Sequence, residues 1–548
     1  MKAKLLLLFI SLFFIAILNP WYKPVLMAKQ NEQSTGISPL VTVMVTNTAD
    51  SGAGSLRTAI TTTNQNPSSV IQFNIPTNDQ GFDAKTGTFN IRLLSPLPAI
   101  TANSTTIDGT TQPVTTAIGP RIVINGSLVT GAANGLVLNS ANNTIKGLII
   151  NNFFSGAGIL IAGPNSNNNT VVGCFIGTDA TGKASAGNQV GVRIRSGAKS
   201  NTIGNNGLLN TNIISGNLNE GVIITDIGTD ANIVAGNTIG LNALSTRDQL
   251  ANLSHGITIT SGAKATTVTF NTIAGNMGNG ILITDNGTSS NIIQNNLIGT
   301  IGNNIARGNN QKGIAIVNGA SLTIIGGVNT GNTIAFNGAA GIAVGGSSGD
   351  TGTIRNRISR NSIFANGGLG IDLGSDGITS NDVGDNDSGP NALNNAPVIT
   401  GIIPTNNGNV MVTGTVNAIG STPVNVEVFT NLISNSSNNP SGFDEGQTFV
   451  GAITTISGSF SVAIPAISQM TVTATATDNS DNTSEFSNAF QINNNLPDLL
   501  AADLVSTPTT LAPGEMVKLR FNIRNQGLTS ALTARHTVVF SNDSAIDL

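Results

Sequence analysis

From about residue 130 to 372 the chain repeats one short pattern. A Gly opens each unit, and aliphatic residues follow at alternate positions. Examples are Gly191-Val-Arg-Ile194, Gly221-Val-Ile-Ile224, Gly256-Ile-Thr-Ile259, Gly280-Ile-Leu-Ile283, Gly313-Ile-Ala-Ile316 and Gly341-Ile-Ala-Val344. A turn rich in Ser, Gly, Asp and Asn comes next. A second patch follows, such as Asn232-Ile-Val234 or Asn291-Ile-Ile293, and then a third, such as Asn237-Thr-Ile-Gly240 or Asn296-Leu-Ile-Gly299. A period of two makes each patch a strand. The opening glycines return about every 23 to 35 residues, a repeat-protein spacing.

Three short strands per unit predict an all-β, parallel β-helix in which successive coils stack strand on strand. About nine coils at ~4.8 Å each make a rod on the order of 43 Å long. The inward column runs through Val192, Ile194, Val222, Ile224, Ile257, Ile259, Ile281, Ile283, Ile314 and Ile316. No coil buries its own face alone, so the ends need caps. The pattern changes at Ala396. Residues 397–493 carry longer alternating strands, such as Val410-Met-Val-Thr-Gly-Thr-Val416 and Thr471-Val-Thr-Ala-Thr-Ala-Thr477, at the spacing of an immunoglobulin-like β-sandwich.

Composition narrows the function. Charged residues are 9% of 548, the net charge is −4, and Gly numbers 64. Gly and the abundant Asn are poor helix formers, which excludes a helical bundle. So few Lys and Arg exclude a nucleic-acid partner, which requires a basic surface. Lys2 and Lys4 before the apolar run Leu5–Leu18 predict an export signal over 1–28, too short to span a bilayer as a helix. The expected location is therefore secreted or cell-surface, with no membrane insertion once the leader is removed. Cys174, the single cysteine, sits in an apolar stretch and reads as a buried filler. Loss of the leader would remove Trp21 and Tyr22, the chain's only Trp and Tyr and so its stacking platforms for sugars.

Ser55-Leu-Arg-Thr-Ala-Ile60, followed by Asn64 and Ile71-Gln-Phe-Asn-Ile-Pro76, resembles the N-terminal cap of secreted bacterial right-handed parallel β-helix proteins. That superfamily includes pectate lyases and many surface proteins. A Cys often precedes the motif; here Gly54 stands in that place. The resemblance implies a cap with the first strands over 41–100 and the β-helix over 101–396. Pro497-Asp-Leu-Leu500, Pro513-Gly-Glu515 and Phe521-Asn-Ile-Arg-Asn-Gln-Gly527 resemble the start of a bacterial cell-adhesion-related sandwich module. They imply a second, incomplete sandwich over 497–548.

Lyases of this superfamily imply stacked carboxylates holding Ca²⁺ beside a basic residue, and hydrolases imply paired carboxylates. The outward columns read Arg193, Ile223, Thr258, Leu282, Ala315, Ala343 and Arg195, Thr225, Thr260, Thr284, Val317, Gly345. Neither stacks carboxylates. One constellation remains: Glu220, His255 and Lys312 each precede an opening Gly, and Glu220 and His255 fall on consecutive coils. A Glu–His pair can transfer protons, though a solvated pair at a turn is the commoner reading. Asp226 and Asp285 share a position two coils apart, too far to share one ion. Asp376, Asp382, Asp385 and Asp387, among Gly and Asn, form a candidate structural Ca²⁺ site, and no other cofactor is expected. The reading is a rigid stalk with adhesive modules, meeting a cell-surface or matrix protein or a polysaccharide, without catalysis. The alternative is a lyase or glycoside hydrolase acting on acidic extracellular polysaccharide.

Overall fold

A computed structural model describes residues 41–491, apart from 114–118, 206–210, 245, 406–408, 418–421, 433–444, 457 and 466–469, together with the backbone of strands 499–507 and 518–525. The expected leader over 1–28 and the chain beyond 525 lie outside the described residues.

The repeat folds as a right-handed parallel β-helix. Its three sheets run the length of the rod with eleven, eleven and nine strands. The first sheet runs from Thr42–Val45 and Val70–Phe73 to Arg357–Ser359, the second from Phe82–Asp83 to Ser362–Phe364, and the third from Leu136–Leu138 to Ile371–Leu373. The nine repeats of the third face are those the opening glycines announce. The other two faces gain three strands each from residues 42–125, and the third face ends one strand after them. Register follows the inward column: Val192 lies against Val222, Val222 against Ile257, Ile257 against Ile281 and Ile281 against Ile314. All of these side chains are 0% exposed. The β-branched residues suit this pleated, fully buried column. Cys174 belongs to the same core, and burial pushes its thiol up to about 12, which leaves it protonated and inert.

Asn fixes the corners. Between the second and third sheets, Asn188, Asn217, Asn252, Asn276, Asn309, Asn337 and Asn366 stack on consecutive rungs, each Nδ2 donating to the Oδ1 of the next. The same Oδ1 also accepts the backbone N–H of the preceding Asn, as Asn252 Oδ1 does from Asn217 at 3.1 Å. A second ladder between the first and second sheets runs from Asn212 through Asn237, Asn271, Asn296 and Asn332 to Asn361. A third, between the third and first sheets, runs from Asn143 through Asn169 and Asn201 to Asn232. It is interrupted at Thr266 and Thr323. Their hydroxyls, together with Asn291 Nδ2, are buried without a partner.

The N-terminal end is closed by the helix Leu56–Asn64, N-capped by the Ser55 side chain. Leu56, Ala59 and Ile60 enter the core of the rod. Arg57 donates to the carbonyls of Ser95 and Pro96 and pairs with Asp50 at 2.6 Å. Asn64 donates to Ala99 O and accepts from the N–H groups of Thr101 and Ala102. One short helix thus clamps the irregular segment that stands in for a strand of the third sheet. Gly54 has φ +77, and a β-carbon there would sit 2.3 Å from Thr46 Oγ1. That contact and the positive φ make Gly the fitting residue there.

The C-terminal end meets a sandwich of two antiparallel sheets. One holds Val398–Pro404, Asn409–Val416 and Gly458–Pro465; the other holds Thr448–Ile456, Pro423–Leu432, Met470–Thr477 and Phe490–Gln491. The strand Leu499–Thr507 pairs antiparallel with Lys518–Asn525 in a separate ribbon. Sandwich residues take up the donors that the last rung of the rod leaves open. Glu445 accepts the Asn366 N–H and Nδ2, and Glu427 accepts Ser359 Oγ–H and the Arg360 N–H. Glu485 accepts the Leu373 N–H, Thr483 Oγ1 the Ile358 N–H, and Gly446 O the Ile363 N–H. Phe429 and Phe486 join the core of the rod, edge to face at 5.4 Å.

Two stability changes follow. Thr323→Asn gives Asn291 Nδ2 an acceptor and removes an orphaned hydroxyl, so it should stabilise the fold by about 1–2 kcal/mol. Glu445→Ala leaves the Asn366 donors buried and unpaired and should cost about 2–3 kcal/mol, with Glu445→Gln milder because it keeps an acceptor. Equilibrium unfolding in urea measures both; no gain from the first substitution would show that the gap at Thr323 carries no energetic cost.

Candidate functional site

The third sheet begins each strand at the opening Gly, and the residue before it lies at the corner. The N–H groups of Gly191, Gly221 and Gly280 donate to the carbonyls of Glu220, His255 and Lys312 respectively. Glu220 and His255 therefore occupy adjacent rungs, as their spacing predicts. Asn279 holds the same position on the next rung, and Lys312 follows one rung further on. The three candidates do not converge.

His255 is tied to structure. Its Nδ1 accepts the Asn279 N–H at 2.9 Å, and a β-carbon on Gly278 would come within 2.6 Å of that nitrogen. Burial lowers the imidazole pKa, with Glu220 opposing. A neutral ring whose acceptor nitrogen is already bonded has no lone pair left to take a proton. Lys312 donates through Nζ to Ser375 Oγ at 2.7 Å. Burial lowers its pKa and nearby Asp372 raises it. Its part is to tie the segment after the last rung to the side of the rod.

The outward column holds its predicted register: Arg193, Ile223, Thr258, Leu282, Ala315 and Ala343 lie on successive strands. The column ends on Asp372, opposite Ala343. The turns after these strands alternate between two types. Asp226-Ile-Gly-Thr229, Asp285-Asn-Gly-Thr288 and Asp350-Thr-Gly-Thr353 alternate with Ser196-Gly-Ala198, Ser261-Gly-Ala263 and Asn318-Gly-Ala320. Each Asp accepts the N–H of Ser196, Ser261 or Asn318 on the preceding rung, and each Thr hydroxyl accepts the following Gly N–H. The structural repeat is thus two coils long, and Asp226 and Asp285 are its turn caps. Hydrogen bonds from Thr260, Thr284 and Ser261 hold the Asp285 carboxyl below its usual range despite partial burial.

The Asp-rich segment gathers in part. One oxygen from each of Asp382, Asp385 and Asp387 lies within 4.8 Å of the others. Asp376 stays apart, next to Asp372. Asp385 is buried, and its Oδ1 accepts the Asn395 N–H at 2.8 Å. Burial and then the neighbouring Asp387, Asp382 and Asp478 push its carboxyl up to about 6. Beside this cluster, a cleft of about 340 Å³ opens between Ile378–Asn381, Ala396–Ile399 and Glu485–Asn488. Glu485 lies in its wall, and both of its oxygens accept donors from Leu373 and Thr379. Burial pushes Glu485 up to about 7. Sequence reasoning missed Glu427, Glu445 and Glu485. The one available signal was three Glu residues within the sandwich of a chain so poor in charge.

The family described as right handed beta helix region matches residues 106–298. No curated protein matches the sequence. Among solved structures, the Dettilon tailspike protein is similar at 14% identity, over 77% of this chain and 93% of that one, with a TM-score of 0.38. ORF18 of Geobacillus virus E2 is similar at 12% identity, over 78% of each chain, with a TM-score of 0.38. The A-module of an Azotobacter vinelandii mannuronan C-5 epimerase is similar at 13% identity, over 60% and 87%, with a TM-score of 0.36. Likenesses this distant say nothing of activity. Among the described residues no helix is long and apolar enough to cross a membrane.

Asp385 and Glu485 together set a pH dependence. Their folded pKa values of about 6 and about 7 lie above the usual 3.9 and 4.3, so the folded state binds more protons than the unfolded one between roughly pH 4 and 7. Their contribution is complete below the unfolded values and is lost as pH rises through 6 to 7. With EDTA present, so that no cation holds Asp385 ionised, the melting temperature should therefore be higher at pH 5 than at pH 8, and Glu485→Gln should flatten that slope. A melting temperature that rises with pH across this window would contradict the assignment.

Proposed function

We propose that the chain is a secreted or cell-surface protein whose β-helix acts as a rigid, non-catalytic stalk. The 397–493 sandwich is then an immunoglobulin-like module and the 497–548 segment the start of a cell-adhesion-related one. The observation that carries this reading is how the carboxylates of the rod are used. Asp50 and Asp108 are in ion pairs, and Asp179, Asp226, Asp285 and Asp350 accept backbone N–H groups at turns. A hydrolase needs two carboxyl groups about 5–10 Å apart, free, and facing one cleft. The Asp382, Asp385 and Asp387 cluster is read as a structural Ca²⁺ site stiffening the junction, in keeping with hard oxygen donors on a Gly- and Asn-rich loop.

Incubation with pectins, alginates and neutral glycans, followed by reducing-end and unsaturated-product assays, should show no turnover, while the protein binds cells or matrix. Turnover abolished by EDTA would overturn this reading in favour of a polysaccharide lyase. For the cation, EDTA should lower the melting temperature of the parent protein and leave Asp387→Ala unaffected. Equal melting with and without chelator would remove Ca²⁺ from the account.

A further inference from the structure

The third sheet starts three strands later than the other two, and this leaves a step in the surface near the N-terminal end. There the segment clamped by Asn64 runs over Leu138, touching it through a single bridge at Ile100. A groove of about 450 Å³ lies at the step, lined by Thr101, Asn103, Asn139, Ser140, Asn165 and Asn167 from three successive rungs. Further along the rod the same corner is filled by the Asp and Thr caps of the two-coil repeat.

Every side chain named carries an amide or a hydroxyl, and none carries a charge. Two are fixed in place: Asn103 Oδ1 accepts the Ala141 N–H at 2.9 Å, and Asn167 Oδ1 accepts the Lys199 N–H at 2.8 Å. Asn139 and Asn165 are exposed, and among the described residues their amides enter no hydrogen bond. An amide offers a donor and an acceptor side by side, which suits hydroxyl groups that both give and take a proton. The volume lies in the range of small-ligand sites.

We propose that this groove binds a neutral saccharide, one to two sugar units of a longer chain, through the free amides of Asn139 and Asn165 and the Nδ2 of Asn103. The absence of charge among the lining residues selects against uronic acids. The lack of an aromatic platform keeps the single-site affinity weak, on the order of millimolar, so useful binding comes from many copies on one surface. The site does not depend on the stalk reading.

Saturation-transfer NMR tests it, using the whole protein with cellohexaose, laminarihexaose and mannohexaose, and with a mannuronate hexamer as the charged control. At least one neutral hexamer should give signal and the mannuronate should not. Asn139→Ala with Asn165→Ala should weaken that binding by about tenfold or more, since each lost hydrogen bond is worth about fivefold. Both side chains are exposed and unbonded, so the melting temperature should be unchanged. Silence from all three neutral hexamers, full binding by the double variant, or equal mannuronate signal would each overturn the site. Chromatography of the recovered hexamer separates the two readings: bound but cleaved sugar refutes the non-catalytic stalk and keeps the groove, whereas intact sugar with no signal refutes the groove alone.

Discussion

The structure depends on how backbone donors at the corners of each coil are satisfied. A strand passes its hydrogen bonds to the next rung, but a corner residue has left the ladder and would bury an unpaired N–H. Asn solves this because one Oδ1 takes both the N–H and the Nδ2 of the Asn one rung earlier. Each corner that carries an Asn pair is then closed by the rung that follows it, and only the Thr266 and Thr323 positions break the pattern among the described ladders. The arrangement is directional, needs no charge and tolerates any outward residue, so a chain with 9% charged residues can build a long rod.

A directional ladder has an end problem. Its last member must donate to something that is not another Asn in the same stack. The sandwich supplies carboxylates there: Glu445 for Asn366, Glu427 for the edge at Ser359 and Arg360, and Glu485 for Leu373. A carboxylate accepts up to four bonds and donates none when ionised, which is the complement of a row of N–H groups. Burial pushes the Glu485 carboxyl up to about 7. The junction is therefore a cap as well as a domain boundary, and the aromatic pair Phe429 and Phe486 continues the core of the rod across it.

Much of this was legible in the sequence because the inward column has period two and the rungs have a common opening residue. The adjacency of Glu220 and His255 could be read for the same reason. The two-coil repeat could not be read from the opening glycines, since both coil types begin alike and differ only in the turn after the strand. Without that distinction Asp226 and Asp285 look like unpaired carboxylates, where each in fact caps a rung. Lys312 precedes an opening Gly as His255 does, and Asn279 holds the rung between them. Asp376 shared a stretch of sequence with Asp382 yet sits next to Asp372. The capping glutamates were beyond reach because each meets a rung about 70 to 110 residues away.

Function has to lie in groups that the fold has not already used. Along most of the rod, polar side chains at the corners are consumed by ladders and turn caps, and outward columns carry small or aliphatic residues. His255 and Lys312 are each engaged in holding a turn or a segment in place. The ladder between the third and first sheets starts at Asn143, on the rung that carries Asn139, and passes to Asn169, on the rung that carries Asn165. These inner amides close the corner, so the outer amides of the same rungs are not needed to hold it. The segment that Arg57 and Asn64 clamp sets the rung before them, and the first helix thereby shapes a surface as well as closing the core.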